Sequence, residues 1–464
     1  MSQSRSAAAV HAGPRLDRLP VGRFHRRLFA LIGAGMFFDG FDLYLAGTVL
    51  GALVKSGFST LSQNGWFATC SFAGMMIGAG LAGFLGDRFG RRFTYQANLA
   101  IYGVASFAAA LAPTMPLLIA ARFIIGIGLG AEIVVGYGTF TEFVPPSVRG
   151  KWCGILAMPI QLSLFIASMT GLLVIPTIGW RMMFVIAGTG AMIVWYLRKN
   201  LPESPRWLEQ RGRMAEADAI LRTIEAESGI APYIPPATTT AISQGQPFAS
   251  LFTLALAQRL VVGTVTLVVL NIVIFGFLNF IPTFLVQQGF SIVRSIGFNT
   301  VMSLGGPVGG LIALLFADRI GRKRLLVISA LCSALFGVCY PFVGSGVALT
   351  VVGFLLTSSM FTNSVVGFAM FVPEMFPTEV RLRGTGFCNT VGRVIGALCP
   401  LAVLPLFQTY GVASVVGVMV VCLVVQAGVI AAWGVEPSHR SLEDLTPGGV
   451  EQGESVLVLG RSKA

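Results

Sequence analysis

The sequence predicts an all-α integral membrane protein of twelve transmembrane helices, arranged as two six-helix halves. Three observations predict it. Apolar residues gather in runs of about twenty, the length that spans a hydrocarbon core of ~30 Å at ~1.5 Å rise per residue. Of the 32 Lys and Arg residues, 27 fall in segments on one side of the membrane and three on the other. Two unrelated motifs recur at one spacing. Composition agrees, since the 464 residues are 55% hydrophobic and only 11% charged, with mean hydropathy +0.79. A soluble domain carries about 25% charged residues. The 56 glycines fit close helix–helix contact in lipid, where small residues let backbones approach.

Residues 1–27 form a polar, basic tail. The apolar run that follows is too long for the core of a cleavable signal. Spans are expected at 28–54, 66–86, 94–112, 116–140, 152–176 and 180–197, giving a first bundle over 28–197. A polar linker, 198–258, holds an Ala/Glu/Arg-rich helical segment from Met214 to Glu227 and a Pro/Thr-rich stretch. The second bundle, 259–434, holds spans at 259–285, 296–317, 325–343, 346–372, 385–407 and 411–434, and a tail of 435–464 follows. The lopsided basic charge is the positive-inside signal, which puts both termini and the linker in the cytoplasm of a cell (plasma or inner) membrane. That distribution excludes nucleic acid as the reason for the net charge of +12. The seven cysteines sit in or beside apolar runs without metal or disulfide spacing. No metal and no cofactor is expected. Histidines occur only in the predicted tails (His11, His25, His439), and no phosphate-binding loop is present, which argues against a membrane enzyme and against ATP-driven pumping. Nothing in the sequence requires a second copy of the chain.

Gly86-Asp87-Arg88-Phe89-Gly90-Arg91-Arg92 returns as Ala317-Asp318-Arg319-Ile320-Gly321-Arg322-Lys323, 231 residues later. Glu142-x-x-Pro145-x-x-Val148-Arg149 returns as Glu374-x-x-Pro377-x-x-Val380-Arg381, 232 later. A duplicated six-helix unit follows, and such repeats place a solute site near the bilayer midplane.

Nearly the whole chain resembles the major facilitator superfamily. The loop Gly83 to Arg92 resembles its motif A, although the second copy has Leu314 in place of Gly83. Arg122-x-x-x-Gly126-x-Gly128-x-Gly130 is similar to its span-4 motif, and Leu201-Pro202-Glu203-Ser204-Pro205-Arg206-Trp207-Leu208 to its sugar-porter signature. Phe38-Asp39-Gly40-Phe41-Asp42 resembles the motif of aromatic-acid and metabolite:proton symporters. The resemblance implies a secondary carrier working by alternating access, with protons and a small organic solute as its partners in the bilayer. Asp87, Arg91, Arg92, Glu142, Arg149, Asp318, Arg322, Glu374 and Arg381 are expected to form a cytoplasmic gate, with Glu142–Arg149 and Glu374–Arg381 in the same lock. A carboxylate facing helix N-termini or arginines holds such a gate shut.

Ionisable residues inside the membrane are costly and mark function. The candidates for proton coupling are Asp39, Asp42, Arg122 and Glu132. Asp39 and Asp42 are three apart and share a helix face. Counting ~1.5 Å per residue from each helix end puts Asp42 and Arg122 at nearly one depth. Desolvation and a like-charged neighbour favour the protonated form of one acid, while arginine decides which acid holds the proton. Glu132 reads equally as a relay or as a cap on the cavity. In the second half the equivalents are neutral, Asn271 for Asp39 and Asn363 for Glu132. Gln161, Asn271, Phe275, Asn279, Asn363 and Asn389 are expected around the solute, since a few polar groups among aromatics make a ligand pocket. Arg393 suits a substrate carboxylate by a bidentate contact. An organic anion, aromatic or other carboxylate, leads as the solute. A sugar or polyol is the alternative, because Gln161-Leu162-Ser163 and the linker motif also occur in sugar porters. A nutrient receptor that has lost transport is a further alternative.

Overall fold

The structure, a computed structural model, describes residues 10–231, 254–287, 289–343, 346–376 and 381–436. By compactness the chain divides into two units, Met1–Ala241 with Leu285–Gly297, and Ile242–Phe284 with Phe298–Ala464.

The first unit holds α1 (Ala12–Asp17), α2 (Arg23–Lys55), α3 (Leu61–Phe89), α4 (Arg91–Leu111), α5 (Met115–Phe143), α6 (Pro146–Val174), α7 (Arg181–Arg198), α8 (Pro205–Gln210) and α9 (Met214–Glu227). Helices α2 to α7 are its six spans. At 33 residues α2 is ~50 Å long, well beyond a ~30 Å core, so its ends project into the polar zones. A capping box starts α3, where the Gln63 amide N–H donates to the Thr60 hydroxyl at 3.2 Å and the Thr60 N–H to the Gln63 side chain at 2.9 Å. Gly90, between α3 and α4, has φ of 98°, which a side chain rarely tolerates.

Glycine spacing explains why α3 and α5 lie against each other. Gly74 and Gly78 of α3 face backbone carbonyls of Phe123 and Ile127, while Gly126 and Gly130 of α5 face those of Ser71 and Met75. A methyl group at any of the four would strike a carbonyl oxygen. Gly128 turns instead to Tyr102 and Asn98 of α4. The span-4 glycines are therefore a packing surface, the small-residue contact expected of helices in lipid.

The second half of the chain holds α10 (Leu254–Asn271), α11 (Ile281–Gln287), α12 (Ile292–Ser303), α13 (Gly305–Ile320), α14 (Arg322–Cys339), α15 (Gly346–Val365), α16 (Val372–Glu374), α17 (Arg381–Tyr410) and α18 (Val412–Trp433), all in the second unit except the end of α11 and the start of α12 within Leu285–Gly297. A π-helical turn, Ile272–Phe277, and a 3₁₀ turn, Leu278–Phe280, join α10 to α11 within one span. A second π-helical turn, Val366–Phe371, joins α15 to α16. The matching helices α2 and α5 run without interruption. Gly305 and Gly309 of α13 pack on Ser358 of α15, as the α3–α5 glycines do in the first unit. Gly321, with φ of 94°, repeats Gly90.

Ten helical stretches among the described residues are long and apolar enough to cross a membrane. The other two spans, α4 and α7, fall short because α4 carries Tyr95, Gln96, Asn98 and Tyr102 along its length and α7 has arginine at both ends. Exposed Phe84, Val104, Leu173, Leu335 and Val421 cover outward faces that lipid would contact. The protein is an integral membrane protein with a twelve-helix fold.

Three expectations change. The segment expected as a polar tail over residues 1–27 holds α1, which docks on α8 and α9, and α2 begins within it at Arg23. Residue 198 does not open the linker, since Arg198 ends α7 and is 1% exposed. Leu254 already belongs to α10. The Pro/Thr-rich part of the linker and the tail from residue 437 lie outside the described residues.

Candidate coupling and solute sites

Five charged side chains meet inside the first unit. Asp42 on α2 and Arg122 on α5 form an ion pair of 2.6 Å, and both are at most 1% exposed. The Arg122 Nε donates to the Ser71 hydroxyl at 3.1 Å, and its guanidinium lies 4.9 Å from the Phe67 ring centre. Glu132, ten residues further along α5, pairs with Arg198 at the end of α7. Arg198 also donates to the carbonyls of Leu31 and Ile32 on α2, each at 2.9 Å. The backbone of α2 thus gives the other two nitrogens of this buried guanidinium a partner each.

Asp39 lies on α2 between these pairs. It is 3% exposed, and neither carboxylate oxygen has a hydrogen-bond partner among the described residues. Glu132, Arg198 and Asp42 are within its electrostatic reach. One oxygen of Asp42 and one of Glu132 are likewise unpartnered. The Tyr102 hydroxyl, from α4, donates to the Phe38 carbonyl at 3.1 Å beside this group. Glycine again makes the space: a Cβ on Gly35 would meet Arg198 Cζ at 2.6 Å and Glu132 Oε1 at 2.9 Å. Sequence reasoning brought Asp39, Asp42, Arg122 and Glu132 together but counted Arg198 as a linker charge. The signal that could have found it is Gly35, one turn before Asp39 on the same face.

At the charged end of the first unit, Arg91 joins Asp87 at 2.8 Å and Glu142 at 3.0 Å. The Glu203 carboxylate accepts the backbone N–H of Arg91 at 2.8 Å and of Arg92 at 3.1 Å, capping the start of α4. The Arg92 side chain donates to the Lys199 carbonyl. Glu142 does not pair with Arg149. Arg149 donates to the Val144 carbonyl and lies 3.7 Å from Asp17 of α1. Asp17 also holds Arg206 at 2.6 Å. The second unit repeats the cluster: Arg322 joins Asp318 at 3.2 Å and pairs with Glu374, and Glu436 accepts the N–H groups of Arg322 and Lys323, each at 3.0 Å. The side chain of Arg381 lies outside the described residues. Glu203, in the motif expected as a conformational latch, and Glu436 play the same capping part in the two units.

Among the expected solute residues, Asn363 is fully buried with its amide engaged. It accepts from Gln426 at 3.0 Å and donates to the Leu326 carbonyl at 3.2 Å, so it ties α15 to α18 and α14. Asn271 packs against Gly392 and Gly396 of α17 and donates to the Leu267 carbonyl at 2.7 Å. Phe275 lies in the π-helical turn and Asn279 in the 3₁₀ turn after it. π-helical turns recur at functional sites. Arg393 on α17 is half-buried; its Nε donates to Asn389 at 3.1 Å, and no carboxylate among the described residues lies within ion-pair distance. Gln161 belongs to the first unit, on α6, with its side-chain oxygen buried and unpartnered among the described residues.

A profile of the Major Facilitator Superfamily matches residues 32–400. The inner membrane metabolite transport protein YdjE of Escherichia coli (strain K12) is 36% identical over 445 residues, covering 94% of this chain and 98% of that protein. The niacin transporter NiaP of Acinetobacter baylyi is 32% identical over 441 residues, with 93% and 98% covered. The xylose transporter XylE from E. coli, in a partially occluded inward-open conformation, has the same fold, with a TM-score of 0.72 at 18% identity over 90% of this chain and 99% of that one.

Proposed function

This chain belongs to the Major Facilitator Superfamily and is a membrane transporter of metabolites; we propose that it couples the uptake of a small organic anion to proton entry by alternating access. The observation that carries the reading is Asp39, a buried carboxyl without a hydrogen-bond partner among the described residues, set between two arginine–carboxylate pairs. An ionised carboxylate left so is far more costly than the neutral acid. Such a group takes up a proton from one side and gives it up when its surroundings change. Arg122 and Arg198 are the cations whose positions decide which acid is ionised.

Arg393 supports the anion. A half-buried guanidinium whose one side-chain partner among the described residues is neutral Asn389 offers donors in a fork that matches a carboxylate. The broken helix carrying Phe275 and Asn279 adds aromatic and amide surface within the same unit. The similarity to a protein named as a niacin transporter fits a small aromatic carboxylate. Each unit carries the same Asp–Arg–Glu cluster, Asp87–Arg91–Glu142 and Asp318–Arg322–Glu374, which we assign to latching the cytoplasmic ends, with both termini on that side.

The test is a thermal-shift screen of the purified chain against nicotinate, benzoate, aliphatic carboxylates, xylose and polyols. A carboxylate is expected to stabilise the protein, and Arg393→Ala to remove the shift. Stabilisation by sugars alone would refute the anion assignment.

A further inference from the structure

The two units close the same helix contact with different chemistry. Glu132 precedes Asn363 by 231 residues and Arg198 precedes Gln426 by 228, close to the repeat spacing. In the second unit Asn363 and Gln426 meet through a neutral amide hydrogen bond. In the first, the matching helices meet through the Glu132–Arg198 ion pair, with Arg198 one turn from the exact counterpart of Gln426. The fold therefore does not require charge there. Two amides make the contact without taking two ions out of water, which is expensive in a buried site.

What the first unit has beside this contact, and the second lacks, is an acid. Asp39 stands where the second unit has Asn271. Three acceptor oxygens around Arg198 have no hydrogen-bond partner among the described residues: both of Asp39 and Oε2 of Glu132. The other ionisable groups near them are Asp42 on α2, Tyr95 and Tyr102 on α4, and Arg122 on α5; α6 brings the Ser163 hydroxyl against Gly40. Arg122 is engaged by Asp42 and Ser71. Arg198 is thus the cation with two acids in its neighbourhood.

Building on the proton-coupling reading, we infer that Arg198 is a positioning residue that alternates between Glu132 and Asp39 and so drives proton release. In the arrangement seen, Asp39 is the neutral acid and Glu132–Arg198 the ion pair. In the other, the O–H bond of Asp39 has broken, Arg198 pairs with the Asp39 carboxylate, and the proton forms a new O–H bond on Glu132. Each arrangement holds one positive and one negative charge, so the exchange adds no net charge to a site where charge is costly. Gly35 leaves the space in which the guanidinium turns, and Glu132 hands the proton towards the α7 end of the bundle. Arg198 touches no solute in this account; it acts through the two carboxyls.

The test uses infrared difference spectra of the full-length chain in liposomes as pH is varied, reading the band of protonated carboxyl. A band removed by Asp39→Asn is expected in the parent protein; its absence would sink the coupling reading itself. Glu132→Gln should also remove the band, because Arg198 then stays on Asp39 and keeps it ionised, and Glu132→Asp should restore it. Persistence of the band in Glu132→Gln, at the parent's titration midpoint, would overturn the alternation while leaving Asp39 as the coupling acid. Glu132→Gln/Arg198→Gln recreates the neutral amide contact of the second unit and guards against a misfolded single variant. With no arginine to draw out the proton, its band should remain to at least one pH unit above the parent's midpoint, and an unchanged midpoint would contradict the role given to Arg198.

Discussion

Replacing Asp42 by Asn removes the charge opposite Arg122 and keeps the shape. Arg122 is 1% exposed, and its partners are Asp42 at 2.6 Å, the Ser71 hydroxyl at 3.1 Å and the Phe67 ring. Breaking a buried pair from one side costs about 3–5 kcal/mol, because the remaining charge stays buried. The asparagine oxygen still accepts one hydrogen bond, worth about 0.5–1.5 kcal/mol, and the Phe67 ring still faces the cation. The expected loss for Asp42→Asn is therefore about 2–4 kcal/mol. Arg122→Gln leaves Asp42 as the orphan and falls in the same range. The double variant leaves two amides in contact, the chemistry of Asn363 and Gln426 in the second unit. It should lose at least ~2 kcal/mol less than the two single variants together, a coupling of the size seen for residues in one network. Denaturant unfolding of the full-length chain in detergent micelles, followed by circular dichroism, measures all three. Additive losses, within about 0.5 kcal/mol, would refute the claim that the pair is one electrostatic unit.

Gly35→Ala places a methyl against Arg198 and Glu132; overpacking of this kind costs about 1–3 kcal/mol, and the thermal midpoint should fall, while Gly80→Ala, in open space within α3, should leave it the same or higher. Arg393→Lys keeps the charge but loses the fork, so carboxylate affinity should drop about tenfold, the loss of roughly one charge-assisted hydrogen bond, with expression unaltered; equal affinity in radioligand binding would argue against a substrate contact. The docking of α1 should fail in acid. Burial alone would push the Glu225 carboxyl up, but hydrogen bonds from Arg15 and Arg18 hold it below the ordinary glutamate value of 4.5. Its contribution is complete above that value and is lost as pH falls through the lower, folded one. Hydrogen exchange in residues 12–17 should accelerate only below pH 4.5, and Glu225→Gln should show the fast exchange at neutral pH.

The spans were legible because hydrophobic runs, arginine distribution and repeated motifs are local properties. So was the meeting of Asp42 with Arg122, which follows from helix rise and span direction. Arg198 was not. Its charge counted towards topology as any arginine near a helix end does, and its burial depends on carbonyls of Leu31 and Ile32 from a helix more than 160 residues earlier. Glu142 and Arg149 read from the sequence as parts of one lock, without partners for either; tertiary packing gives Glu142 to Arg91 and turns Arg149 towards α1. Asn363 was legible as a buried amide, but composition cannot say whether its partner is a solute or, as here, Gln426. The π-helical turns in the second unit had no signal in the hydropathy pattern, which is unchanged by one extra residue in a turn.

Proton-driven accumulation is the property on which the account turns. Purified protein in sealed liposomes, given an acid-outside gradient and a radiolabelled carboxylate that stabilises it, should concentrate that carboxylate inside. A protonophore or Asp39→Asn should abolish the accumulation while exchange of internal for external carboxylate continues. Uptake of equal extent with and without the gradient, or undiminished accumulation by Asp39→Asn, would contradict it.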